Sequence, residues 1–181
     1  MKVQSATQFT KVGYFSLDNR VDTKKNLSFS YITQDKMLKQ NLARVYIISV
    51  DGRIKKIGGS NAKGGIRGTI APYLSGNGGR PSDRTHGVNM FIYKALSLGK
   101  SVELYYATIP NQNVTLPSLT DLRSAEISPS YKPMEELCLK EYVQREGAYP
   151  PWNFQEAGLP WPTEVRESNA KLKNRSKLIN D

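Results

Sequence analysis

Between Arg44 and Arg67 the chain reads RVYIISVDGRIKKIGGSNAKGGIR, and no other stretch restricts the fold as much. Val45-Tyr46-Ile47-Ile48-Ser49-Val50 is dense in β-branched and aromatic side chains, which suit a pleated, packed surface. Asp51-Gly52 follows, a dipeptide that tolerates the positive φ angles of a tight reverse turn, and Ile54-Lys55-Lys56-Ile57 resumes an apolar-polar run. The pattern predicts a β-hairpin. Its exit, Gly58-Gly59-Ser60, is flexible and leads into a short segment carrying Lys63 and Arg67. A tyrosine in one strand, a lysine in the next and an arginine beyond are thereby brought within reach of one spot.

Strand geometry sets a condition on that convergence. Side chains alternate faces, so a regular two-residue turn at Asp51-Gly52 pairs Val50 with Arg53 and leaves Tyr46 and Lys56 on opposite faces. Joint action by the two therefore requires either a loop of Asp51-Gly52-Arg53 or a bulge nearby.

The chain of 181 residues is sized for one domain with an appended arm or tail. Its 26 Lys and Arg against 16 Asp and Glu give a formal charge of +10, which favours a polyanionic partner through counterion release, with nucleic acid foremost. A single cysteine, Cys138, excludes an internal disulfide, and a single histidine, His86, leaves no ligand set for structural zinc. Any metal is expected to be a hard cation held by carboxylate and water. No run is apolar enough to cross a membrane, and MKVQSATQFTKVGYF lacks an apolar signal core, so a cytoplasmic location is expected.

Around the hairpin the pattern is less regular. Residues 1–43 read as an arm with strands at Val12 to Phe15 and Leu27 to Ile32, a polar turn from Asn19 to Asn26, and a short helix from Asp35 to Ala43. Ser75 to Gly87 reads as a glycine-rich loop in which Arg80, Arg84 and His86 suit contact with phosphates or base edges, and Lys63 belongs with them. A helix is expected from Val88 to Leu98, with Gly99 as C-cap and Asn89 as a cap or a DNA contact. A third strand follows from Ser101 to Ile109, and residues 110–133 read as a long loop. Pro133 opens a helix from Met134 to Arg145, and residues 154–181 form a basic extension, helical or tail-like.

Taken together, Val45-Tyr46, then Lys56-Ile57-Gly58 ten positions after Tyr46, then Arg67 resemble the signature of GIY-YIG nucleases. Arg44 stands in place of that family's first glycine and Lys56 in place of its second tyrosine, a variant similar to that of small GIY-YIG restriction endonucleases. The family places a metal-binding glutamate at the start of a later helix, with apolar residues three, four and seven positions on. From Glu135 these are Cys138, Leu139 and Tyr142, a better fit than from Glu136 or Glu141. Pro150-Pro151-Trp152-Asn153 is similar to the close of that helix in a phage-encoded member.

The resemblance implies an α+β fold with a central three-stranded antiparallel sheet flanked by helices, spanning residues 44–153. It implies hydrolysis of double-stranded DNA by a homodimer, with one Mg²⁺ per site, which Mn²⁺ can replace. Tyr46 would be general base or relay, Lys56 its neighbouring cation, Arg67 the phosphate clamp and Glu135 the metal ligand, with Asn153 orienting the site. A type II restriction endonuclease is the leading role and a phage-type DNA-degrading endonuclease the second. The rival from another class is a non-catalytic DNA-binding module that keeps the sheet as scaffold.

Overall fold

The computed structural model describes residues 1–18, 26–32, 41–76 and 79–178. It is built on a five-stranded, all-antiparallel sheet in the order β2-β1-β5-β3-β4, from β1 (Thr10–Leu17), β2 (Leu27–Tyr31), β3 (Ala43–Val50), β4 (Arg53–Ser60) and β5 (Val102–Ile109). The three-stranded sheet implied by the sequence is thus extended by two strands. Within residues 1–43, β1 pairs along β5 and buries Val12 and Phe15 in the main core. Unpaired, that edge of β5 would leave a row of backbone donors and acceptors open to other chains. The helix expected from Asp35 and the turn from Asn19 lie almost wholly outside the described residues, although Ala43 itself opens β3.

Among the described residues four α-helices complete the fold: α1 (Gly65–Leu74), α2 (Asp83–Ser97), α3 (Lys132–Glu146) and α4 (Thr163–Leu178). Every residue of β3 is buried, because helices cover both faces of the sheet. Tyr46, Ile48 and Val50 join Ile66, Ile70, Val88 and Ile92 of α1 and α2 in one core. Val45 and Ile47, on the opposite face, pack with Ile57, Leu139 and Tyr142 of α3.

Residues 110–133 correct the expected loop. They contain a second sheet, a hairpin of β6 (Gln112–Pro117) and β7 (Leu122–Ile127). Helix α2 also begins five residues before the expected Val88, because Ser82 caps it by accepting from the Thr85 amide at 3.1 Å. Ser82, not Asn89, is the cap.

The β3–β4 hairpin meets the condition set by its sequence. Asp51 (φ 47°) and Gly52 (φ 71°) form a two-residue turn that pairs Val50 with Arg53. The register then slips: Ser49 pairs with Ile54, whereas Ile48 pairs with Lys56, leaving Lys55 as the extra residue of a bulge. Below it Ile48–Lys56 and Tyr46–Gly58 are opposed pairs, so Tyr46 and Lys56 share a face.

β4 is an edge strand, and the outward backbone groups of Lys55 and Ile57 are satisfied by the distant motif at residues 152–153. The Trp152 amide donates to Lys55 O at 2.8 Å. The Asn153 side chain accepts from the Ile57 amide at 2.9 Å and donates to Ile57 O at 2.6 Å. One amide side chain thus replaces a neighbouring strand. An Asn153→Ala variant leaves both buried groups unsatisfied and is expected to lose about 2–4 kcal/mol, measured by denaturant unfolding. Unchanged stability would refute that role.

Candidate active site

Five ionisable side chains from five segments, Tyr46, Lys56, Tyr73, Glu135 and Glu156, gather around Arg84. Gly58 lies opposite Tyr46 on the same face, where an added Cβ would sit 2.4 Å from the Tyr46 hydroxyl. Only glycine lets the ring cross β4 here. The Tyr46 hydroxyl meets that of Tyr73, from α1, at 2.6 Å. Arg84, on the first turn of α2, interacts electrostatically with both hydroxyls. The three residues line a cleft between the end of β4 and the two helices, together with small side chains that include Ser60, Gly68 and Thr69.

Lys56 is only 1% exposed, and its ammonium stands 4.0 Å from a carboxylate oxygen of Glu156. Glu135 enters from the first turn of α3, where the Gly59 amide of β4 favours its charged form. Tyr131 explains Gly59 in turn, since any Cβ would lie 1.9 Å from its ring. The expected spacing after Glu135 holds: Leu139 and Tyr142 are buried against the sheet and Cys138 packs at their margin.

Charge and burial act differently on each group. Burial lifts the Tyr46 pKa well above its ordinary value; Tyr73 adds to this and Arg84 opposes it. Burial also raises Tyr73, again opposed by Arg84. Burial of Arg84 works against its charge, but Tyr73, Tyr46 and Glu156 outweigh that, leaving a fixed cation. Burial pulls Lys56 down to about 8, with Arg84 pushing the same way and Glu156 and Glu135 resisting. Burial raises Glu135, Arg84 lowers it, and the Glu156 carboxylate raises it further.

The other residues expected at the site lie elsewhere. Arg67 is exposed, with its guanidinium 5.0 Å over the ring of Tyr31. The reason is helical phase: α1 turns Ile66, Thr69, Ile70 and Tyr73 inward, so Arg67 projects toward β2. Arg44, in place of the family glycine, is buried and donates to Gly65 O at 2.7 Å, Thr69 Oγ1 at 3.0 Å and Ala62 O at 3.1 Å, tying the start of α1 to β3.

His86 and Asn89 are not in a basic loop. Both are buried on α2, His86 bonded to Gly76 O at 2.8 Å and Ser168 Oγ at 3.0 Å, and Asn89 donating to Tyr73 O at 2.7 Å. They tie the C-terminal end of α1 and a turn of α4 to α2. Lys63 is exposed before α1, and Arg80 is exposed at a groove between α1 and α2. Glu156 was not foreseen from the sequence, where it stands in an aperiodic stretch rich in proline and aromatic residues.

Among the described residues no group of three or more His, Cys, Asp or Glu surrounds one point. Glu135 and Glu156 line a common groove and offer hard carboxylate oxygens. Such a donor set fits Mg²⁺, which keeps most of its waters and needs one or two protein carboxylates.

No family model and no curated protein sequence matches the chain. Solved structures similar to it include two nucleases. A mutant of bacteriophage T4 EndoII aligns with a TM-score of 0.48 at 18% identity, covering 83% of this chain and 95% of that one. The restriction endonuclease HPY188I in complex with product DNA aligns with a TM-score of 0.46 at 22% identity, covering 81% and 80%. Both scores lie below 0.5.

Proposed function

We propose that this chain is a Mg²⁺-dependent endonuclease of the GIY-YIG type that hydrolyses phosphodiester bonds of double-stranded DNA. The observation that carries the reading is the Lys55 bulge, which sets Tyr46 and Lys56 on one face beside Arg84 and Glu135. Ordinary strand pairing would scatter them. A net charge of +10 supplies the affinity for a polyanion.

A phosphodiester resists attack because it is anionic, so a water must lose a proton as charge builds on phosphorus. The neutral amine of Lys56 takes that proton. Tyr46, whose phenol burial keeps protonated, serves as a hydroxyl that orients the water. Of the two hydroxyl protons on Tyr46 and Tyr73, one is used between them, which leaves one to point outward. Arg84 stands beside these oxygens as a fixed cation and offers its forked donors to the phosphate. Glu135, with Glu156 nearby, would hold Mg²⁺, which when bound stabilises charge on the leaving 3′ oxygen.

Cutting both strands calls for two sites, so two copies would act together, as a type II restriction endonuclease at a short sequence. Incubating purified protein with unmodified phage DNA, with Mg²⁺ or with EDTA, tests this. Discrete Mg²⁺-dependent bands are expected. A smear would indicate a DNA-degrading nuclease without site preference, and a gel shift with no nicking would overturn the catalytic reading in favour of a binding module.

A further inference from the structure

Helix α4 contributes no residue to the Tyr46 cleft, yet the side chains it turns inward meet the turn that carries Arg84. Val165, Ser168, Asn169 and Lys173 recur at helical spacing and form one stripe, which lies along Asp83, His86 and Gly87 of α2. The two helices are closely packed: a Cβ added at Gly87 would lie 2.6 Å from the Trp161 ring and 3.1 Å from Val165 Cγ1. Asn169 is fully buried, and its amide nitrogen donates to Pro81 O at 3.1 Å and to Asp83 Oδ1 at 2.6 Å, which uses both of its protons. Those two acceptors belong to the residues on either side of Ser82, the cap of α2, and Arg84 follows Asp83 directly.

Packing alone does not account for an asparagine here. Its side-chain oxygen is buried without a hydrogen-bond partner among the described residues, an unmet acceptor that stability by itself disfavours. A leucine of similar size would fill the same space beside α2 and leave no such atom. What the amide does, and leucine could not, is hold two points of the turn that precedes Arg84. The Ser82 cap closes that turn on itself through the Thr85 amide and so sets its winding, whereas Asn169 ties it to another helix and so sets its place. The Lys173 ammonium stands 3.7 Å from the same Asp83 oxygen, but both partners are about two-fifths exposed, and a pair of that kind holds weakly. Place matters because Arg84 has to meet groups from β3 and α1 at once, and a shift of about 1 Å at a reacting centre can cost on the order of 10²-fold in rate.

We infer that Asn169 is a positioning residue for Arg84, a buried clamp through which α4 fixes the turn that aims the guanidinium. The inference rests on the role proposed above for Arg84, and two measurements on the full chain test it. In single-turnover cleavage, Asn169→Leu is expected to slow the reaction about 10–100-fold when Arg84 is present and less than about twofold when Arg84 is already alanine. Asp83→Ala removes one of the two acceptors at a partly exposed position, which keeps the fold intact, and is expected to give a smaller loss with the same dependence on Arg84. Equal losses in both Arg84 backgrounds would make Asn169 merely structural and overturn the inference, as would no loss in either. The second measurement needs no cleavage. Phenylglyoxal, which reacts with guanidinium groups, is expected to label Arg84 faster in Asn169→Leu than in the wild type, with Arg67 unchanged, as read by peptide mass spectrometry. Unchanged labelling of Arg84 would overturn the clamp even if the rate fell. A wild type that does not cleave would overturn the proposed function and the catalytic purpose of the clamp, while the labelling would still decide whether Asn169 holds Arg84.

Discussion

An Arg84→Ala variant is expected to cleave DNA about 10²–10³-fold more slowly than the wild type, whereas Arg67→Ala is expected to lose less than about tenfold. The order reverses what the sequence resemblance alone implies, and the reason is placement. Arg84 reaches both buried hydroxyls and feels the charges of Glu156, Glu135 and Lys56, so it sits at the centre of the cluster. Arg67 lies over Tyr31 and is not among the residues lining the Tyr46 cleft. Truncating Arg84 removes the fixed cation that opposes the rise in the Tyr46 pKa and takes away the donors proposed for the phosphate. Arg84→Lys separates these roles, since it keeps the charge and loses the fork; an intermediate loss is expected. Single-turnover cleavage rates at saturating enzyme, alongside melting curves, read the effect. Equal losses at the two arginines, or a larger loss at Arg67, would sink this assignment.

How much of this site was legible in the sequence differs residue by residue. The hairpin was legible because β-branched runs flanking Asp-Gly leave few alternatives, and alternation of faces made a bulge or a longer loop a condition that coordinates could meet or fail. Glu135 was legible because helical spacing ties it to Leu139 and Tyr142, whose burial fixes the phase of α3. Arg84 is hidden because the glycines around it give the stretch the pattern of a loop. Ser82-Asp83 at the head of the helix, an N-cap residue followed by an acid in the first turn, was the signal that would have started α2 five residues earlier. Glu156 left no local signal at all. It arrives through the turn that follows Asn153, where Ala157 donates to Asn153 O at 3.0 Å, and its partner Lys56 is distant in sequence. The second sheet was hidden because Val114, Leu116 and Ala125 alternate with polar residues in short strands that pack on neither core. Local pattern reports an element best when a core enforces it.

The cleavage rate is expected to rise with pH and level off above about 8, and a Lys56→Met variant is expected to lose both that rise and about 10²–10⁴-fold in rate. The direction follows from the role. An ammonium has no lone pair to accept a proton, so the active fraction is neutral Lys56, which grows as pH approaches the depressed pKa of about 8. Were Lys56 needed as a cation, the rate would instead fall through the same range, and Lys56→Arg, a permanent cation, would stay active. Glu156 sharpens the test because its carboxylate raises the Lys56 pKa against burial. Glu156→Gln should therefore move the rising limb to lower pH, a shift that loss of fold would not produce. Stability carries the same signature with a definite sign. Between about 8 and the ordinary 10.5 the folded lysine is neutral while the unfolded one still holds its proton, so the unfolded state binds more protons and stability rises with pH across that window. A rising limb in rate near 8 and a stabilisation beginning near the same pH, both absent from Lys56→Met, would tie the two effects to one buried amine.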